Sequence, residues 1–237
     1  MTFEAQLVQD ITGSQSLSTD GIALLNAPVI EATHAAADIE AAELDHPVWS
    51  QTARIPITRY WSGEAAPASR YAEARVVWSE AALHVRFACP QDEPLVVSPN
   101  PQMARKTLGL WDRDVCEIFI APDLAEPNNY FEFEAAPTGE WVDLAIRMTS
   151  AGRETDFNFH SGMTAATRIG DDGIVVAMRI PWSERIPQPQ SGERWRVNLF
   201  RCVGSDPTRG YLAWRPTYAA EPSFHSPEVF GWLVFKD

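Results

Sequence analysis

Apolar and polar residues alternate with period two through most of the chain beyond residue 54, the pattern of strands that bury one face. The clearest stretch is Leu110 to Arg147, in which three alternating runs are separated by two polar turns. In Val115 to Ala121, Cys116, Ile118 and Ile120 share one side, with Glu117 and Phe119 on the other. In Tyr130 to Glu134, Phe131 and Phe133 point inward and Tyr130, Glu132 and Glu134 outward. In Trp141 to Arg147, Val142, Leu144 and Ile146 form the core side, which leaves Trp141, Asp143 and Arg147 displayed. The expected result is one sheet face bearing Glu117, Glu132, Glu134, Asp143 and Arg147 in the company of aromatic rings.

Other strand signals surround this stretch. Arg75 to Trp78 and Leu83 to Cys89 flank the turn SEAA, and Thr164 to Ile169 and Ile174 to Ile180 flank GDDG, so each pair predicts a hairpin. Arg54 to Trp61, Arg194 to Val203, Tyr211 to Trp214 and Gly231 to Phe235 complete the set, with short edge strands at Gly21 to Leu25 and Pro28 to Ile30. Thr33 to Leu44 has the Ala and Glu content of a helical turn or two. Pro90 to Leu110, Ser150 to Gly162 and Arg215 to Val229 lack alternation and read as loops; loops as long as the first usually carry function. About eleven short strands with regular turn signals describe an all-β fold. The prediction is a single antiparallel, jelly-roll-like β-sandwich over residues 46–237, with a short N-terminal extension over residues 1–45 packing on it.

Composition narrows the chemistry. The 237 residues carry a formal net charge of −13, which excludes the clustered cations that phosphate backbones require and disfavours anionic membrane surfaces. Nine tryptophans exceed the needs of one core, so some indoles are expected at the surface. Cys89, Cys116 and Cys202 lie in apolar runs without a CxxC pair and read as buried, reduced thiols. The first residues show no basic start followed by an apolar core, and no apolar run reaches membrane-spanning length. As written, the chain reads as cytoplasmic, with an extracytoplasmic location left open.

Three readings fit the acidic and aromatic face. Carboxylates and arginine read sugar hydroxyls while flat rings stack on sugar C–H faces, which makes a non-catalytic carbohydrate-binding surface. Two carboxylates at the spacing of Glu132 and Glu134 could instead serve a glycoside hydrolase. An aromatic face could also meet a protein partner. Asp112, Asp114, Asp123, Asp171 and Asp172 are candidate calcium ligands, though none has EF-hand spacing. The sequence holds no GxSxG elbow, HExxH or P-loop. Aromatics at strand ends or in loops, among them Trp111, Tyr130, Trp141, Trp214, Tyr218 and Phe224, are the candidates for ligand stacking, and Arg113 joins them as a polar neighbour of Trp111.

The segments LWDRDVCEIFIAPD and NYFEFEAAPTGEWVDL resemble the centre of the family 9 carbohydrate-binding modules. RIPW (179–182), VNLFR (197–201), LAWRPTY (212–218) and FHSPEVFGWLVF (224–235) follow in the same order. The resemblance covers roughly residues 45 to 237. It implies a β-sandwich related to the DOMON-type domains, binding of mono- or oligosaccharides between tryptophans, and bound calcium. It makes Trp111 the match to a sugar-stacking tryptophan, with Glu117, Glu132, Asn198 and Arg201 as polar partners. DOMON-type haem binding would need an axial ligand such as Met103, Met163 or His160. Where members of the family often carry an acidic residue just before the I-P-W block, this chain has Ala177 and Arg179.

Overall fold

The computed structural model describes residues 27–237; the expected strand at Gly21 to Leu25 lies outside them. Among the described residues fourteen strands join in one hydrogen-bonded sheet: β1 (Val29–His34), β2 (Ile55–Ile57), β3 (Arg59–Tyr60), β4 (Ala72–Trp78), β5 (Ala82–Cys89), β6 (Val115–Ala121), β7 (Asn129–Ala135), β8 (Trp141–Thr149), β9 (Gly152–Asp156), β10 (Thr164–Gly170), β11 (Gly173–Pro181), β12 (Arg194–Val203), β13 (Gly210–Ala213) and β14 (Gly231–Lys236), of which β2, β3 and β13 lie off the main path. The main order is β10-β11-β5-β4-β1-β14-β12-β6-β7-β8-β9. The two halves of this path lie face to face as a sandwich. Between them sits a core of Phe87, Val85, Met178 and Ile180 from one half and Ile118, Ile120, Phe133, Leu199 and Phe235 from the other. The only α-helix among the described residues is a single turn, α1 (Val48–Gln51).

Both predicted hairpins form, β4–β5 and β10–β11, with antiparallel register along their lengths. Three features depart from the sequence reading. Thr33 to Leu44, expected to hold a helical turn or two, instead ends β1 at His34 and continues in bends and turns. Of the segment 28–30, expected at an edge, Val29 and Ile30 open β1, which lies in the middle of the path and pairs in parallel with both β14 and β4. Alternation in VIEATH shows only that the strand buries alternate residues; which neighbours it finds is decided by segments 40 to 200 positions away, beyond the reach of a local pattern. Within the polar stretch 150–162, Gly152–Asp156 forms β9 and pairs with β8 as an outer strand. Its sequence GRETD has no apolar side to betray it, because an edge strand in contact with water needs none.

The half of the sandwich built from β12, β6, β7 and β8 is covered on its outer face as well. A second apolar cluster of Phe119, Tyr130, Leu144, Ile146, Phe200, Phe224 and Phe230 lies there. The segment 214–230 supplies the lid of this layer. Asn198 on β12 fastens it, donating to the Arg215 carbonyl at 2.8 Å and accepting from the Arg215 amide at 2.9 Å. Phe224 then stacks on Phe200 with ring centroids 4.0 Å apart. All seven residues of β6 are consequently buried, a burden that an outer strand of an open sandwich does not carry.

Candidate functional site

Between this lid, β9 and the outer face of β6 and β7 is a cavity of about 310 Å³. Its lining includes Glu117, Phe119, Glu132, Glu134 and Leu144 from the sheet, Arg153 and Thr155 from β9, and Trp111, Tyr211, Phe224 and His225 from the surrounding segments. A larger open groove of about 830 Å³ runs past Asn129, Arg147 and Arg185, but none of the buried carboxylates reaches it.

Strand register explains why the three glutamates meet. Glu117 on β6 pairs with Glu134 on β7, and Glu132 pairs with Phe119 across the same two strands. Glu132 and Glu134 are two residues apart on one strand and so share a face. One oxygen from each carboxylate lies within 4.8 Å of the other two. All three side chains are buried, Glu134 completely.

Little offsets their charge. Among the described residues the nearest basic nitrogen is His225 Nδ1, 4.0 Å from Glu132 Oε2. Burial, with Arg153 nearby, holds the His225 imidazole down at about 3, so at neutral pH it brings no positive charge. Burial pushes the Glu117 carboxyl well up, and the Glu132 charge adds to the effect. Glu134 is likewise driven well up by burial and then by Glu117 and Glu132. Burial also raises Glu132, partly offset by its approach to Glu134. The two carboxyls approach closely enough to share a proton, and apart from that neither Glu134 oxygen nor Glu132 Oε2 accepts from a donor among the described residues. Glu117 Oε1 accepts a weak bond from Cys202 Sγ at 3.4 Å. The floor of the cavity is therefore a set of acceptors, or of carboxylic acids able to donate, that the protein itself leaves largely unused.

Trp111 is held at the cavity by its own short segment. Gly109 adopts φ 78°, a left-handed conformation that costs glycine least, and starts the 3₁₀ turn Leu110–Asp112. Arg209 Nη2 donates to the Trp111 carbonyl at 2.9 Å, which fixes the turn from the other side. Trp111 is 37% exposed as a residue, enough to be reached by solvent or ligand.

Of the residues singled out from the sequence, Trp111, Asp112, Glu117, Glu132, Glu134 and Phe224 line the cavity. The others lie elsewhere. Tyr130 is buried in the outer apolar layer, where its hydroxyl meets His225 Nδ1 at 2.8 Å. Trp141 and Asp143 fall on the opposite face of the sheet, since Asp143 pairs with Phe133 and Trp141 with Ala135. Trp141 Nε1 donates to the Met103 carbonyl, and Asp143 is paired with Lys106 Nζ at 2.6 Å and accepts from Ser161. The predicted single acidic face is therefore split between two sides of the sheet. With both faces of β8 buried, period two cannot say which set of residues looks inward.

Arg113 bonds Glu140, and Trp214 packs on the inter-sheet core with its ring against Gly231. Asn198 is spent on the lid. Arg201 lies on the inner face and donates to the carbonyls of Arg70, Tyr71 and Pro90 and to Gln91 Oε1. Among the calcium candidates, Asp112 borders the cavity, Asp114 accepts from the Val96 and Gly204 amides, and Asp123 accepts from the Ala125 amide in a turn. Asp171 and Asp172 form the tip of the β10–β11 hairpin. The three glutamates, rather than these aspartates, have the spacing and the oxygen chemistry that suit a hard cation. Cys89 and Cys116 are buried free thiols with sulfurs 3.7 Å apart, and Cys202 is a third.

Arg153, Tyr211 and His225 were not singled out from the sequence. Arg153 comes from the unrecognised edge strand and His225 from the proline-marked lid, so neither sits in a pattern that local alternation could flag.

Residues 41–237 match the family described as carbohydrate family 9 binding domain-like. The chain belongs to that family. Similar solved structures include a family 9 carbohydrate-binding module from Caldicellulosiruptor kristjanssonii in complex with glucose, at TM-score 0.62 and 15% identity over 88% of this chain and 96% of that one. The Caldicellulosiruptor kristjanssonii module in complex with cellotriose gives 0.60 at 18% identity, covering 88% and 94%. A putative carbohydrate-binding protein from Bacteroides uniformis gives 0.66 at 16% identity, covering 89% and 100%. At these identities the likeness establishes a shared sandwich. A protein of Arthroderma benhamiae described as an extracellular protein is 23% identical over 175 residues, 68% of this chain and 77% of that one.

Proposed function

We propose that this family 9 protein binds carbohydrate, without cleaving it, in the cavity over β6 and β7. The observation that carries the reading is the joint presence of an exposed Trp111 and three buried carboxylates around one small cavity, two of them with oxygens that no donor among the described residues serves. A pyranose needs both: an aromatic plane for its C–H face and acceptors for its hydroxyl protons. About 310 Å³ is at the small end of ligand sites and suits one sugar ring, such as the end of a chain. Membership of the family and the sugar complexes of two structural neighbours support the same reading.

The carboxylates do not form the arrangement that glycoside hydrolysis uses. General acid and base or nucleophile flank the scissile bond from two sides. Here all three rise from adjacent strands on one floor, so a sugar resting on them meets them from one side. Calorimetry with glucose, cellobiose and cellotriose tests the proposal. Saturable binding that Trp111→Ala weakens by about tenfold or more supports it, and an intact fold with no heat for any sugar removes it.

A further inference from the structure

The floor of the cavity is more acidic than a neutral sugar requires. Hydroxyl groups are satisfied by single acceptors, and amides or one carboxylate provide those without gathering like charges. Here three carboxylates converge, and among the described residues none forms an ion pair with a guanidinium or ammonium: Arg153 in the cavity wall and Arg209 act on them only from a distance, and His225 is neutral. Glu134 is wholly buried and lines the cavity, and no donor among the described residues serves either of its oxygens beyond a proton shared with Glu132. A buried carboxylate left in this state costs stability, so the arrangement makes sense when the missing partner arrives from outside.

The walls narrow the identity of that partner. Trp111, Phe119, Tyr211 and Phe224 surround the acidic floor. Aromatic faces attract organic cations and sugar C–H groups, whereas a hard divalent metal ion is held by oxygen ligands and needs no aromatic wall. The volume above the floor also exceeds what one ion fills and accommodates a ring. Building on the carbohydrate-binding reading, we propose that the preferred ligand is an amino sugar: a pyranose bearing a protonated primary amine, whose ammonium group sits among Glu117, Glu132 and Glu134 while its ring rests against Trp111. The ammonium has three donors and no acceptor, and the floor offers three carboxylates. Each contact is a charge-assisted bond, stronger than its neutral counterpart.

The test compares glucosamine, glucose and N-acetylglucosamine by calorimetry at pH 6.5 in protein dialysed against EDTA, then with calcium added. The expected result is glucosamine affinity at least about tenfold above that of glucose, the factor that about 1.4 kcal/mol supplies. N-acetylation removes the charge, and the advantage should vanish with it. Glu134→Gln should collapse the glucosamine-to-glucose ratio to within about threefold of unity, with Glu132→Gln as a second variant should the first fold poorly. Glucose binding equal to or tighter than glucosamine overturns the inference and leaves carbohydrate binding standing. So does sugar binding that appears only with calcium, because the glutamates would then hold the metal. No binding of any of the three sugars overturns both readings.

Discussion

Glu117 and Glu134 stand directly opposite each other across β6 and β7, both buried. Like charges in register on a sheet face destabilise it even at the surface, and burial makes the cost larger. A fold meets such a pair by keeping protons on it or by taking up a ligand that satisfies it. The protein is therefore poised between stability without ligand and affinity with it.

That tension has a sign. Both carboxyls are raised above the ordinary glutamate value of 4.5, chiefly by burial. A group whose folded value lies above its unfolded value contributes most below the unfolded one, and the contribution is lost as pH rises through the folded one. From this cluster, thermal stability should fall as pH rises above about 4.5. Differential scanning calorimetry across pH 4.5 to 8.5 should show Glu134→Gln losing less stability over that range than the unaltered protein, with a higher Tm at the alkaline end. Parallel profiles for the two proteins would mean that the cluster does not titrate as described.

Trp111 belongs to binding rather than to folding. The residue is exposed and its turn is held by backbone contacts that do not involve the indole. Trp111→Ala should weaken sugar binding by about tenfold or more, about 1.4 kcal/mol, and leave the Tm within about 2 °C. Calorimetry and thermal unfolding of one preparation check both halves.

Arg201 makes the opposite prediction. Its guanidinium serves four acceptors while 1% exposed, all of them in the packing between strands. Arg201→Ala strands those acceptors and should cost roughly 3 kcal/mol or more of stability. Denaturant unfolding measures the loss. The fraction that remains folded should bind sugar with unchanged affinity, because Arg201 is on the far face from the cavity.

Gly231 tests the seating of the lid. A Cβ there would come within 2.4 Å of the Trp214 ring and 2.8 Å of the Pro28 carbonyl oxygen. Gly231→Ala should therefore destabilise by about 1–3 kcal/mol through overpacking. Urea unfolding provides the measurement, and an unchanged midpoint would contradict the close contact.

The sandwich was legible in the sequence because its two hairpins and the runs at 115–121, 130–134 and 194–203 alternate cleanly between turn residues. The family blocks were legible for the same reason: strands and turns in fixed order. What local alternation could not supply was the second layer over β6 to β8. Glu132 and Glu134 point away from the inter-sheet core, as read, but a face away from one core is not thereby exposed. The segment 214–230 and strand β9 cover it, and both reach the site from far along the chain. The same cover hid the register of β8, so Asp143 was placed beside Glu134 when it pairs with Lys106 on the other side. Asn198 and Arg201 illustrate a second limit. A polar residue in a strand looks alike in sequence whether it reads a ligand or braces a loop, and here both brace the protein.

The central claim is that a sugar occupies the cavity above Glu117, Glu132 and Glu134. Amide chemical-shift mapping during titration with glucosamine tests it most directly. The account predicts saturable shifts concentrated at residues 111–119, 132–134 and 223–225 together with the Trp111 indole. Shifts gathered instead along the open groove near Asn129, Arg147 and Arg185, with the Trp111 indole unmoved, would contradict it.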